Sequence, residues 1–507
     1  MRSAPARHPR LHRAGPGLVA LGLALLSGAC TAQEPVLPAI ELKVESLTDR
    51  ARGATWIALQ WQSPAQRFDV LYGPSGPRGG EPRQYETTEG LYTLAYSVIG
   101  LSPDTQYTFR VRAYPMAGSD GDPVLSAPLA VRTLPYAPTE WHGVFFWPQH
   151  PVSVSPAEQT EAAIEAAGGR LYLLQAAGCS LTLSCLEPAG LVVQWTCAFS
   201  PQIDDVAPCY RRPDMCVSQG KLWFTWESMK PSGGEPQPGD YRQRLAYYEL
   251  PGEADERPPD SPERFSAVME ISPSAPDRGT RWGSVASHLD AVWVCWTEVY
   301  LSEERPISGR LTVAPYETRT GSLGRPVVWD DCPTTYPADA GISSFGGDLR
   351  VMFSDRARLQ ESPETEPLMW ARFDGRRFYD VAYLRRLGRN FAPRGVQVAD
   401  RFYYVYQSDA SYPASGGLYY DIDLGRSAVG GLRVDPTGAL FVAGVTCVGD
   451  MKHNSAPDVA VLGNDLFVAY AKREDQPDPD SGWAARTVRA YGTYITRVTG
   501  TAQAEEL

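Results

Sequence analysis

The sequence predicts an all-β protein, a sandwich followed by a six-bladed β-propeller, and three observations carry that expectation. A phrase recurs between residues 160 and 480, in which a proline or small residue is followed about eight positions later by an aromatic-rich strand. The strands begin at Leu171, Leu222, Val292, Leu349, Phe402 and Leu466, a repeat of roughly 50 to 70 residues, which suits four-stranded blades. Upstream, about a hundred residues hold some seven short alternating strands and no helical period, the pattern of a sandwich. The 46 glycines and 44 prolines are spread along the whole chain, which suits many tight turns better than long helices.

Residues 1–30 read as an address. Arg2, Arg7, Arg10 and Arg13 precede the apolar run Gly17 to Leu26, and the small residues Ser27, Gly28 and Ala29 lead to Cys30. A run this short is a secretory signal, not a membrane span. Its end resembles the lipobox of bacterial lipoproteins, which implies that Cys30 is lipidated and holds an exported chain at the bacterial cell envelope. Several acyl chains give stable anchoring where one does not. The pattern departs at Ser27, where the family has leucine, and an ordinary signal peptide cleaved near Ala29 or Ala32 is the alternative. Apart from Cys30 there are eight cysteines, an even number that in an exported chain suggests up to four disulfides. Cys179 with Cys185, and Cys197 with Cys209, are the local pairings. No Cys-x-x-Cys pair occurs and the six histidines do not cluster, so a metal site is not expected.

Residues 38–134 form the sandwich. Trp56 to Trp61, Phe68 to Tyr72, Leu91 to Val98 and Tyr107 to Ala113 each alternate inward and outward residues. With Trp61 and Tyr72 in its second and third strands, and Leu101-Ser102-Pro103-Asp104-Thr105-Gln106-Tyr107 as a tyrosine corner, the segment resembles a fibronectin type III module. The closing Val131 to Pro135 matches that family's last strand. The resemblance implies a spacer or docking unit and no chemistry. Pro135 to Thr139 is a short stiff linker.

Residues 141–500 form the propeller. Arg244 to Leu250, Leu418 to Asp423 and Phe441 to Cys447 supply outer strands, and Trp141 to Trp147 or Thr487 to Val498 brings chain start to chain end. The first copy, before Leu171, is degenerate, so a five-bladed ring is the alternative; closing the ring protects strand edges either way. The blade grammar resembles the sialidase-like superfamily, although its Ser-x-Asp-x-Gly-x-x-Trp turn is absent here. Two residue sets are expected at one rim. Asp214, Ser284, Gly341, Arg394 and Asp458 follow the opening position of each repeat. Glu227, Glu298, Asp355 and Asp409 end the aromatic strands, with Lys472 and Arg473 in the last blade. Long polar loops follow, among them Pro231 to Asp240, Glu361 to Glu366 and Asp475 to Asp480. The aromatic stripe, Trp223, Trp226, Trp293, Trp296, Tyr404 and Tyr406, is expected to pack between blades.

A formal net charge of −12 excludes nucleic acid as a partner class, since a polyanion needs a basic face. Two function classes remain. The first is a binding or scaffold lipoprotein whose acidic rim holds a glycan, a peptide or a cation. Calcium would suit oxygen ligands, but no calcium loop is present and no cofactor is expected. The second is a glycosidase, which needs two carboxyls about 5 to 10 Å apart. Asp214, Glu227, Asp355 and Asp458 are the candidates. The sialidase resemblance would add three arginines around a substrate carboxylate, Arg212, Arg356 and Arg394.

Overall fold

The computed structural model describes residues 45–501, apart from short stretches and the longer segments 76–81, 116–121, 202–208, 231–237, 272–276, 301–307, 410–419, 428–441 and 478–485. Cys30 and the rest of the expected leader lie outside the described residues, as do most of residues 231–240 and the side chain of Arg473. No described helix is long and apolar enough to cross a membrane.

The sandwich is built from two antiparallel sheets. One joins Glu45–Arg52, Trp56–Gln62 and Ala95–Ile99. The other orders Glu86–Leu91, Arg67–Pro74 and Gln106–Tyr114, with Val124–Leu125 and Leu129–Arg132 both pairing the last of these. Alternation buries Trp61, Phe68, Phe109 and Val111 in a single core. The expected strand Leu91 to Val98 is two strands in two sheets, because the chain crosses from one layer to the other there. The tyrosine corner forms as expected, with the Ser102 N–H donating to the Tyr107 hydroxyl at 2.9 Å.

Six sheets follow. Their first strands are Thr160–Ala167, Cys209–Ser218, Arg278–His288, Pro337–Phe345, Asn390–Val398 and His453–Leu462, numbered here as blades 1 to 6. Each first strand lies against the next, and the sixth lies against the first. The recurring aromatic strand is the second strand of every blade, for example Lys221–Met229 and Arg401–Ser408. The sixth sheet takes strands from both ends of the region: Val144–Phe146 pairs Arg486–Thr499, placing Phe146 opposite Val498. Apolar clusters fill each gap between successive blades. Trp226 packs between blades 1 and 2, Trp223 and Trp296 between 2 and 3, and Tyr404 and Tyr406 between 4 and 5. Phe467 and Ile495 of blade 6 pack on Ile164 of blade 1. Aromatic residues are needed here because wedge-shaped gaps between twisted sheets demand large rigid side chains.

The seven described cysteines are free thiols. The expected Cys179–Cys185 pairing fails on geometry: Cys179 precedes and Cys185 lies within the extended strand Ser180–Glu187, about 20 Å apart and far beyond disulfide reach. Cys197 stands opposite Leu183 on that strand, while Cys209 starts beside the Gly178 turn. That leaves the second expected pair roughly 12 Å or more apart.

Candidate functional site

The mouth of the ring is shaped by one backbone device used five times. In blades 2 to 6 the pairing of first and second strands slips, between Arg211 and Asp214, Arg281 and Ser284, Ala338 and Gly341, Phe391 and Arg394, and Ser455 and Asp458. Each slip contains a non-glycine residue in the left-handed region: Arg212 (φ 51), Trp282 (φ 53), Asp339 (φ 52), Ala392 (φ 46) and Ala456 (φ 47). Each stands ten positions before the start of its aromatic strand. Such backbone costs on the order of 1 kcal/mol per residue, and bulges of this kind re-aim side chains. Blade 1 pairs without a slip. At the matching position its Glu161 carboxylate accepts the Arg212 N–H at 2.6 Å.

The bulges bring a cavity of about 340 Å³ to the mouth. Arg211, Arg212, Arg356 and Arg394 line it together with Phe391 and Tyr420, and Glu161 and Asp339 are its acidic members. Around it lies a lattice of charges. Asp339 forms ion pairs with Arg212 and with Arg356, the latter at 2.8 Å, and Arg356 reaches Glu366 at 3.1 Å. Glu227 pairs with Arg281 at 3.2 Å and accepts the Trp282 N–H at 3.4 Å. The guanidinium groups of Arg281, Arg356 and Arg212 stand 4.6, 5.0 and 5.8 Å from the Trp282 ring centroid, inside the range of cation–π attraction. Burial pushes the Arg212 pKa down to about 10. Burial would raise the Glu227 pKa, but Arg281 and Arg212 outweigh it and hold the carboxyl below its ordinary range. Glu366 goes the other way, raised by burial that Arg356 only partly offsets.

Deeper along the axis, a second cavity of about 250 Å³ is lined by Glu165, Asp214, Asp458 and Arg394. Asp214 accepts the Ser284 hydroxyl and, at 2.9 Å, the Val285 N–H of the next blade, and lies 3.4 Å from Arg394. Asp458 accepts the Ile164 N–H at 2.7 Å, tying blade 6 to blade 1. Burial raises all three carboxyls, Glu165 to about 8, and the nearby Asp214 adds to the rise at Asp458.

The structure therefore brings Asp214, Arg394 and Asp458 to one channel, and Glu227 and Arg356 to the lattice above it. Asp355 is buried, accepting the Thr334 hydroxyl with Arg358 at 3.6 Å. Asp409 is also buried and accepts the Arg389 N–H at 2.7 Å. Glu298 is half-buried in its ladder opposite Thr280 and Arg310, and Lys472 donates to Gln149 at 3.1 Å. Three of the strand-end acids, Glu227, Asp355 and Asp409, are thus turned into the protein and engage backbone N–H, hydroxyl or guanidinium groups. Glu366, expected in a polar loop, is fully buried. Sequence reasoning missed Arg211, Arg281, Trp282, Asp339, Glu161 and Glu165. Counting ten residues back from each aromatic strand would have found Glu161, Trp282 and Asp339.

Residues 38–128 match the model of the fibronectin type III domain. The chain is similar to bovine (Bos taurus) receptor-type tyrosine-protein phosphatase F, 32% identical over 97 residues, 18% of this chain and 5% of that protein. The chain is also similar to Trypanosoma rangeli sialidase in complex with the inhibitor DANA, at 8% identity and a TM-score of 0.48, covering 68% of this chain and 56% of that one. A protein of unknown function from Dyadobacter fermentans gives 9% identity and 0.45, covering 68% and 98%. An exo-1,5-α-L-arabinanase from a bovine ruminal metagenomic library gives 9% and 0.37, covering 56% and 97%. The chain spans a twentieth of the phosphatase's length and about half of the sialidase's.

Proposed function

We propose that this protein is a binding module whose propeller mouth holds an anionic glycan, one bearing a carboxylate, without cleaving it. The observation that carries this reading is the sugar-sized cavity with four guanidinium groups on its wall. Guanidinium forks match carboxylates geometrically, and a partly enclosed site strengthens the attraction. Hydrolysis draws less support, because Glu227, Asp214 and Asp458 are each committed to an arginine or a neighbouring strand. In the same reading the chain is exported and held at the bacterial envelope through Cys30, with the fibronectin type III domain as spacer.

The test is calorimetric titration with carboxylate-bearing glycans and their neutral analogues at low and high salt. Arg211 is exposed, and among the described residues no ion pair commits it. Arg211→Ala should therefore weaken the charged ligand about tenfold without affecting the fold. Equal affinity for charged and neutral glycans refutes the reading, and turnover of a chromogenic glycoside would replace it with hydrolysis.

A further inference from the structure

The geometry points to a disulfide between Cys179 and Cys209 that clamps the mouth-side turn of blade 1 to the first strand of blade 2. Gly178 and Cys179 are the two central residues of the hairpin joining the second and third strands of blade 1, with Ala177 paired to Ser180 on either side. Gly178 takes the left-handed conformation the first position of such a turn needs (φ 56). Its carbonyl accepts the Tyr210 N–H at 2.7 Å. That bond joins the peptide group linking Gly178 to Cys179 with the one linking Cys209 to Tyr210. Planar trans peptides have fixed dimensions, so whatever the rotation about this hydrogen bond, the Cα atoms of Cys179 and Cys209 are roughly 4 to 7 Å apart. A disulfide spans about that distance.

The other described cysteines offer no comparable partner. Cys185, Cys197, Cys216 and Cys295 are buried within strands, and Cys332 is half-buried against the cluster between blades 3 and 4. Cys179 alone among the described cysteines is exposed, and Cys209 is half-buried. An incoming disulfide therefore reaches Cys179 first, and Cys209 is placed to resolve it. With oxidised glutathione as oxidant, the Cys179 thiolate attacks one glutathione sulfur and expels the first glutathione thiolate. The Cys209 thiolate then attacks the Cys179 sulfur and expels the second. Each thiol gives up one proton, the protein loses two electrons, and the glutathione disulfide is reduced to two glutathiones. Cys209 opens the strand that carries Arg211 and Arg212 to the mouth, so the bond would fix the root of that strand.

The experiment equilibrates the full chain with oxidised glutathione, quenches with iodoacetamide and maps peptides under non-reducing conditions. The expected product is a peptide linking residues 179 and 209, two hydrogen atoms lighter than its reduced parts and free of glutathione. Cys209→Ser should instead trap a stable glutathione adduct on Cys179, a readout that does not depend on the linked peptide forming. Alkylation of both thiols after oxidation, a lasting glutathione adduct on wild-type Cys179, or a link from either cysteine to another would each overturn the assignment.

Discussion

Replacing Glu227 by glutamine tests whether the mouth lattice is an electrostatic structure or a catalytic one. Glu227 is fully buried, and its carboxylate balances Arg281 at 3.2 Å while accepting the Trp282 N–H. Glutamine keeps the shape and an acceptor for that N–H but removes the charge facing Arg281 and Arg212. Breaking one side of a buried ion pair costs about 3 to 5 kcal/mol. The Arg281 side chain keeps 19% of its exposure, so partial solvation reduces the expected loss to about 2 to 3 kcal/mol. Loss of a neutral hydrogen bond alone would cost about 1 kcal/mol. Urea unfolding followed by tryptophan fluorescence reads the difference as a lower midpoint at unchanged slope. The acidity shift fixes the pH dependence. Because Glu227 is held below its ordinary range, its stabilisation is complete above that range and fades as pH falls through the depressed value. The gap between wild type and variant should therefore close in acid. The variant should also bind an anionic glycan more tightly, since the lattice has lost a negative charge. A loss below about 0.5 kcal/mol, or a gap that does not vary with pH, would refute the reasoning.

Asp458→Asn should act in the opposite sense. Burial and Asp214 raise the Asp458 pKa, so its protonated form is the one the fold favours, and the stability it contributes is lost as pH rises through the raised value. Asparagine can still accept the Ile164 N–H, so the variant should melt higher than wild type at pH above neutrality and match it in acid; a lower melting point across the whole range would contradict this. Gly341→Ala would set a Cβ 2.2 Å from the Pro393 carbonyl oxygen of blade 5. It should destabilise the propeller by about 1 to 3 kcal/mol, because backbone cannot yield as a side chain can. Denaturant unfolding within about 0.5 kcal/mol of wild type would show that the two blades separate easily.

Much of the fold was legible because it is written in local periodicity. The second strand of every blade, the aromatic stripe between blades and the Ser102–Tyr107 corner all follow from alternation and short-range spacing. The candidate site was only half legible. Asp214, Arg394 and Asp458 do share one channel, but the Asp214 carboxylate is engaged across blades with Ser284 and Val285 and the Asp458 carboxylate with Ile164, partners more than 50 positions away in the chain. Nothing local marks Glu366 as the buried partner of Arg356 or Trp282 as the centre of three guanidinium groups. The left-handed bulge residues carry no shared residue type, since arginine, tryptophan, aspartate and alanine all occupy that place.

The sequence alone determined the order of parts: a sandwich that matches the fibronectin type III domain, then six repeats each opening before an aromatic strand. Those features depend on hydrophobic pattern and turn residues, which act over a few positions. Tertiary structure decided which charges meet. Whether a carboxylate faces solvent, a guanidinium or a neighbouring strand's N–H depends on how five slipped strands aim their side chains across the ring, and the energy of each choice is set by burial that only the assembled blades create.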